Sequence, residues 1–213
     1  MTVMDIIEYA KYGELAQLNV IKQLNSSVAS EVIDAEKKLI SYINLGLIEL
    51  YKRFNLKTDE EVLIMAEDQT LYTITSANFN SVYMVYDEKG DYFPINDEED
   101  NDSIMTPSYN ILQIANAVPG EAIYVIYNAS PDKLVWAENL NTIVVGVPPA
   151  MLEALLHYIG YRGHAAMNGN VDAGNNTHYN RFEASCASML ELGVVPTDDR
   201  IVSGTKLEDK GFV

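Results

Sequence analysis

The chain has 213 residues, 48% of them apolar, and carries 31 acidic against 14 basic side chains, a formal net charge of -17. That length suits one domain, or a small domain with a sizeable insertion, and that apolar fraction excludes global disorder. The charge excludes a tight, nonspecific nucleic-acid binder, since so acidic a surface repels phosphate backbones, although DNA can still slide past such a surface.

Thr2 and Asp5 resemble a capping box, with Asp in place of the longer Glu or Gln, and predict a short helix through Tyr12 ended by Gly13. Asp5 and Glu8 interrupt the apolar pattern of residues 1–11, which argues against a signal peptide. No run approaches the ~20 apolar residues that span a bilayer, so no membrane association is expected. A second short helix fits within residues 14–24. Ser30 is the expected N-cap of a long helix over residues 30–54, with Glu31 and Asp34 near the positive pole and Lys52 and Arg53 near the negative one. Ile33, Leu39, Ile40, Ile43, Leu47, Leu50, Tyr51 and Phe54 recur mostly at three- and four-residue steps, so one face is core.

From Glu60 the period changes. Residues 62–65, 71–75 and 81–86 are short, β-branched or aromatic, and bounded by polar clusters, as strands are. Glu88, Lys89 and Gly90 predict a hairpin turn with positive φ at Gly90, leading into residues 91–95, where Pro94 suits an edge. The acidic run 97–102 reads as a solvated loop. A calcium site is the alternative, but the run lacks the internal glycine and distal glutamate of an EF-hand. Strand pattern resumes over residues 109–114. After a turn at 118–121 it is clearest over 122–127, where Ala122, Tyr124 and Ile126 share one face and Ile123, Val125 and Tyr127 the other. Residues 142–147 read as extended.

Pro149 fits a first helical turn. The next helix buries Leu152, Leu155, Leu156 and Ile159, with a bend expected at Gly160 or Gly163. A Gly- and Asn-rich loop, 168–176, closes a helical hairpin. Thr177 is the expected cap of the last helix, whose Tyr179, Phe182, Cys186 and Met189 form a seam at 3-4-3 spacing, ended by Gly193. Cys186, the single cysteine, allows no internal disulfide and reads as a buried, unreactive thiol in a reducing cytoplasm.

Neither helical segment can bury its apolar stripe alone. The expected fold is therefore α+β: a helical bundle of N-terminal (1–58) and C-terminal (148–193) helices with an inserted β-rich module (59–147) and an extended tail (194–213). Ile40, Ile43, Leu47, Leu50, Leu152, Leu155, Ile159, Phe182, Cys186 and Met189 are the expected bundle core.

Candidate chemistry is sparse. His157 and His164 stand seven apart on one helix, with His178 and Glu183 on its partner, and a metal-dependent, cell-wall-directed hydrolase is the alternative function these four residues offer. Helical zinc sites usually bring two ligands within one turn, and that spacing is absent, so no metal, cofactor or catalytic residue is assigned. Paired carboxylates are uninformative in so acidic a chain. The scarcity of Lys and Arg argues against the tyrosines as a base-stacking platform. The tail's isolated Ile201, Val202, Phe212 and Val213 can order on a partner by filling shallow pockets, a frayed terminus being the other reading.

The order of elements resembles that of the head-to-tail adaptor (connector) proteins of tailed bacteriophages, especially short-tailed ones. The points of likeness are Ile43-Asn44-Leu45-Gly46-Leu47-Ile48-Glu49-Leu50-Tyr51-Lys52-Arg53-Phe54, then Gln69-Thr70-Leu71-Tyr72-Thr73-Ile74 and Val85-Tyr86-Asp87-Glu88-Lys89-Gly90. The strand over 123–128, Ser130-Pro131, Val147-Pro148-Pro149 entering a helix, and the last helix over 179–190 complete it, covering residues 30–192. The resemblance implies a non-enzymatic structural virion protein without cofactors, located in the neck between capsid and tail and assembled in the host cytoplasm. It further implies a homo-oligomeric ring, commonly of twelve, docked under the portal protein. Such a ring offers a surface to the next tail component, a nozzle or tail-tube protein, and lets double-stranded DNA pass unbound through its lumen. It also implies that the tail, through Arg200, Ile201, Val202, Phe212 and Val213, reaches the portal. A fibre or receptor-attachment protein is a third reading, weakened by the helices that bracket the chain.

Overall fold

In a computed structural model of the chain, which describes residues 1–168 and 176–193, the first helix begins as its cap residues require. Thr2 Oγ1 accepts from the Asp5 amide at 3.2 Å and the Asp5 carboxylate accepts from the Thr2 amide at 2.7 Å, opening α1 (Val3–Tyr12). Residues 13–18 form a turn, with the Leu15 amide on the Ala10 carbonyl at 2.9 Å, so the expected second helix shortens to α2 (Asn19–Leu24). The long helix is α3 (Ala29–Arg53). Its start differs from expectation: Ser26 Oγ accepts from the Val28 amide at 3.1 Å and donates to Glu31 at 2.5 Å, leaving Ser30 inside the first turn. α4 (Leu152–Asn168) follows a 3-10 turn at Pro149–Met151, and α5 is Thr177–Glu191. Asn176, not Thr177, caps α5 by accepting from the His178 and Tyr179 amides, because the helix already includes Thr177.

The chain divides into two units, residues 47–135 and residues 1–46 together with those from 136 onward. In the latter, Ile6, Leu15, Leu39, Ile40, Ile43, Met151, Leu155, Ile159, Phe182, Cys186 and Met189 are buried, while Leu152 and Leu156 are half-buried. Each buried large side chain contributes roughly 1.5–3 kcal/mol, and edge-on ring pairs such as Tyr158–Phe182 add orientation. Trp136 Nε1 donates to Glu36 of α3 at 2.7 Å. Residues 142–147 hold one lone bridge, Val144 to Thr2, flanked by the Val3 amide on the Ile143 carbonyl and the Val145 amide on that of Met1.

Close approach is what the helical glycines provide. A Cβ on Gly46 would lie 2.6 Å from Leu155 Cδ1, and one on Gly163 would lie 2.6 Å from Leu15 Cδ2 and 2.8 Å from Leu18 Cδ1. α4 runs unbroken through Gly160 and Gly163, so these residues admit neighbours in place of the expected bend.

Residues 47–135 include the C-terminal part of α3, with Leu47, Leu50, Tyr51 and Phe54 buried, and two antiparallel sheets. The first runs β1 (Thr58–Ile64), β7 (Ala122–Ala129), β3 (Phe79–Asp87), β4 (Tyr92–Phe93). The second runs β2 (Leu71–Thr73), β6 (Ile111–Gln113), β5 (Met105–Ser108). Gly90 takes φ 88° in the β3–β4 turn, and Pro94 comes directly after the edge strand β4. Alternation along β7 sends Ile123, Val125, Tyr127 and Ala129 into a core shared with Val85, Tyr72, Ile74, Ile104 and Leu112. Its other face carries Tyr124, stacked on Tyr86 with ring centroids 5.1 Å apart. The Tyr86 hydroxyl donates to Glu60 at 2.6 Å, and that bond first, then burial, pushes the phenol up to about 12. Pro107 hid β5 from the sequence, and β5 is an edge strand, the place where a residue without N–H is harmless.

β2 stops short of the expected Thr75 because the next backbone groups turn to a side chain. The Glu61 carboxylate accepts from Thr75 N at 2.9 Å, Thr75 Oγ1 at 2.8 Å, Ser76 N at 3.0 Å and Ser76 Oγ at 2.6 Å. Burial alone would raise its pKa, but the four bonds together hold it below the ordinary value of 4.5. A depressed folded pKa means stabilisation that is present above the unfolded value and lost as pH falls through the folded one. Glu61→Gln, which keeps a single acceptor oxygen, is expected to cost about 1 kcal/mol at neutral pH, the low end for a part-exposed charged acceptor. In denaturant titrations the gap between the two proteins should close as pH drops below 4.5. A gap of equal size at acid pH would contradict this account.

Candidate functional site

Glu14 is set by the turn after α1. The Gly13 amide closes on the Tyr9 carbonyl at 2.9 Å, and Leu15 and Leu18, both buried, insert where Gly163 leaves α4 bare. This holds Glu14 over Gly160, where a Cβ would sit 3.0 Å from both Glu14 Cβ and His178 Nδ1. His157, Gly160 and His164 recur at three- and four-residue steps and share a face of α4. His178 enters from the first turn of α5.

The carboxylate lies between two imidazoles. Glu14 Oε1 is 3.2 Å from His157 Nδ1, and Oε2 is 2.5 Å from His178 Nδ1. These are ion-pair distances, yet no well-aligned hydrogen bond reaches either buried nitrogen. The side chains of Glu14, His157 and His178 keep 19%, 12% and 20% of their exposure, so the cluster is largely dry. His157 Nε2 faces Glu153 of the preceding turn at 3.6 Å. His164 stacks on His178, with centroids 4.5 Å apart, and its Nε2 lies 3.1 Å from the Glu14 carbonyl oxygen. Burial first pushes the His178 pKa below its ordinary value; Glu14 draws it back, and His164 and Arg181 oppose Glu14.

Three of the four residues picked from the sequence thus meet, while half-buried Glu183 lies outside the group of converging donors, whose acid is Glu14. Sequence reasoning had no access to Glu14, which belongs to no motif and reaches the histidines only through tertiary packing.

Two carboxylates of the acidic loop turn to its own backbone. Asp97 Oδ1 accepts from the Glu99 amide at 3.0 Å and Asp100 Oδ1 from the Asp102 amide at 2.8 Å. Asp102 also accepts from Asn116 Nδ2 at 3.0 Å. These are the Asx turns of a solvated loop. Of the expected core, Ile40, Ile43, Leu155, Ile159, Phe182, Cys186 and Met189 are buried in the unit holding the termini, whereas Leu47 and Leu50 are buried residues of the other. Arg200, Ile201, Val202, Phe212 and Val213, expected at the portal, lie outside the described residues, as does most of the loop after α4.

Helices joined to antiparallel sheets make an α+β fold, and residues 10–203 match the family model of the SU10 adaptor protein, a phage head-to-tail adaptor family. The chain belongs to the SU10 adaptor family. No match was found among curated proteins. This adaptor is accordingly a structural protein of the phage neck, of a kind that associates with portal and tail components and with itself. Among the described residues of the adaptor no helix is long and apolar enough to cross a membrane. Nothing in the match favours the hydrolase reading of the histidines.

Proposed function

We propose that this adaptor, of the short-tailed type, forms a ring of twelve copies beneath the portal, extends the DNA channel and offers its far side to the next tail component, a nozzle or tail-tube protein. The observation that carries this reading is the family match, which runs over residues 10–203 and so includes both helical ends and the strands between them. The ring assembles in the host cytoplasm and has no catalytic role. Its lumen passes double-stranded DNA without gripping it, which the net charge of -17 supports, since carboxylates hold phosphates off. Residues 194–213, with Arg200, Ile201, Val202, Phe212 and Val213, contact the portal.

A closed ring needs two different surfaces that meet between neighbouring copies. One is the outer face of the four-stranded sheet. Register sets Val62 beside Tyr124, Tyr124 beside Tyr86 and Tyr86 beside Tyr92, an apolar row across all four strands. Val62, Ile64 and Tyr92 on or beside this row are 46%, 61% and 54% exposed, and a contiguous apolar face of this kind marks an interaction site. A second copy of the chain is its occupant.

Electron microscopy of the purified adaptor mixed with its portal tests the whole reading, which requires rings seated on portal particles. Val62→Asp with Ile64→Asp should leave a folded chain, because both side chains point to solvent, and should shift particle mass from ring to monomer. Rings unchanged in the double variant would remove this sheet face from the interface, and portal particles without adaptor density would remove the function.

A further inference from the structure

We propose that Glu14, His157 and His178 form a binding site for a divalent transition-metal ion, with zinc the best fit, which fastens the turn after α1 to both α4 and α5. Three donors from three separate segments converge: their ligand atoms all lie within 4.8 Å of one another. A tetrahedral zinc ion with bonds of 2.0–2.2 Å holds its donors roughly 3.3 Å apart. His157 Nδ1 and Glu14 Oε1, at 3.2 Å, already have that spacing, and the 2.5 Å between His178 Nδ1 and Glu14 Oε2 has to open by less than an ångström.

The second observation concerns the nitrogens themselves. Both Nδ1 atoms are shut off from solvent, both face the carboxylate, and neither receives a well-aligned hydrogen bond. A buried imidazole nitrogen without such a bond is a costly arrangement that a metal ion relieves. The far nitrogen of His157 lies 3.6 Å from the exposed Glu153 carboxylate, within reach of the outer-shell partner that a ligating histidine usually has. Space is provided as well. At Gly160 any side chain would push into Glu14 and His178, each 3.0 Å from the position of its Cβ. Two imidazoles and a carboxylate favour zinc, nickel or cobalt over magnesium or calcium, which prefer oxygen alone. Water completes the coordination.

A histidine ligates through a deprotonated nitrogen, so any proton on the ligating Nδ1 leaves for Nε2 or solvent as the ion enters, and no redox step is involved. The site also adds holo stability: an ion that binds the folded chain alone raises the melting temperature with its concentration.

The test uses the full chain, stripped with a chelator and titrated with zinc chloride in a calorimeter at neutral pH. One ion per chain is expected, together with a melting temperature that climbs with zinc and stays put with equal magnesium. Cobalt should give the intense visible absorption of a tetrahedral site. Glu14→Gln and His178→Asn should each weaken zinc at least about tenfold, whereas His164→Asn, which removes a stacking neighbour and no ligand, should stay within about threefold. Wild-type protein that shows no saturable zinc binding overturns the proposal, whatever the variants do. Equal affinity in Glu14→Gln and wild type overturns it too.

Discussion

Leu155→Asp is expected to unfold the helical unit outright. Leu155 is wholly buried and lies against the backbone of α3, where Gly46 leaves no Cβ in its way. Losing the leucine alone costs about 2–5 kcal/mol. A carboxylate left there without a partner costs several kcal/mol more, or stays protonated at a similar penalty. The sum is comparable with the roughly 5–15 kcal/mol that hold a domain together. Leu155→Ala provides the graded control: it should remain folded and melt about 6–15 °C lower, for a chain of this size. Circular dichroism of the helical band checks both. A soluble Leu155→Asp protein melting with the parent would mean that the four segments do not share this core.

Deleting residues 194–213 should abolish portal binding and leave the rest intact. The last described helix finishes properly before the cut: α5 ends at Glu191, and Gly193, at φ 63°, returns its amide to the Leu190 carbonyl at 3.1 Å. Among the apolar side chains of the deleted stretch, Ile201, Val202, Phe212 and Val213 are each able to contribute roughly 1.5–3 kcal/mol on filling a pocket. Part of that is offset by the cost of ordering the segment. A loss of at least about hundredfold in affinity, ~2.7 kcal/mol, is the expected result, read by mass photometry of adaptor and portal mixtures. Unchanged portal binding by the shortened chain, with unchanged melting, would end the proposed role of these residues.

How far the sequence could be followed depended on how local the governing contacts are. α3 was legible because Leu39, Ile43, Leu47 and Leu50 repeat with the helical period and charge matches its poles, so every cue lies within the helix. β7 was legible because its alternation is strict. β5 was not, since Pro107 speaks against a strand in any setting except an edge, and only the finished sheet tells which strand is the edge. The start of α3 slipped for a related reason: the helix begins at Ala29, and the bonds of Ser26 to the Val28 amide and to Glu31 that precede it depend on how the preceding turn closes. The histidines were visible as a pattern on α4, but their acid was not. Glu14 arrives from the opposite end of the chain through a contact made by Leu15 and Leu18 with Gly163, which no window of sequence contains.

That notch in α4 has a bearing on how relatives of this chain can diverge. With glycine at position 163 the side chains at 15 and 18 fill the gap, so a methyl group added at 163 must be matched by smaller residues at 15 or 18. These three positions should vary as a set across the adaptor's lineage, and a homologue that enlarges one without trimming another should carry its first helix displaced from the hairpin.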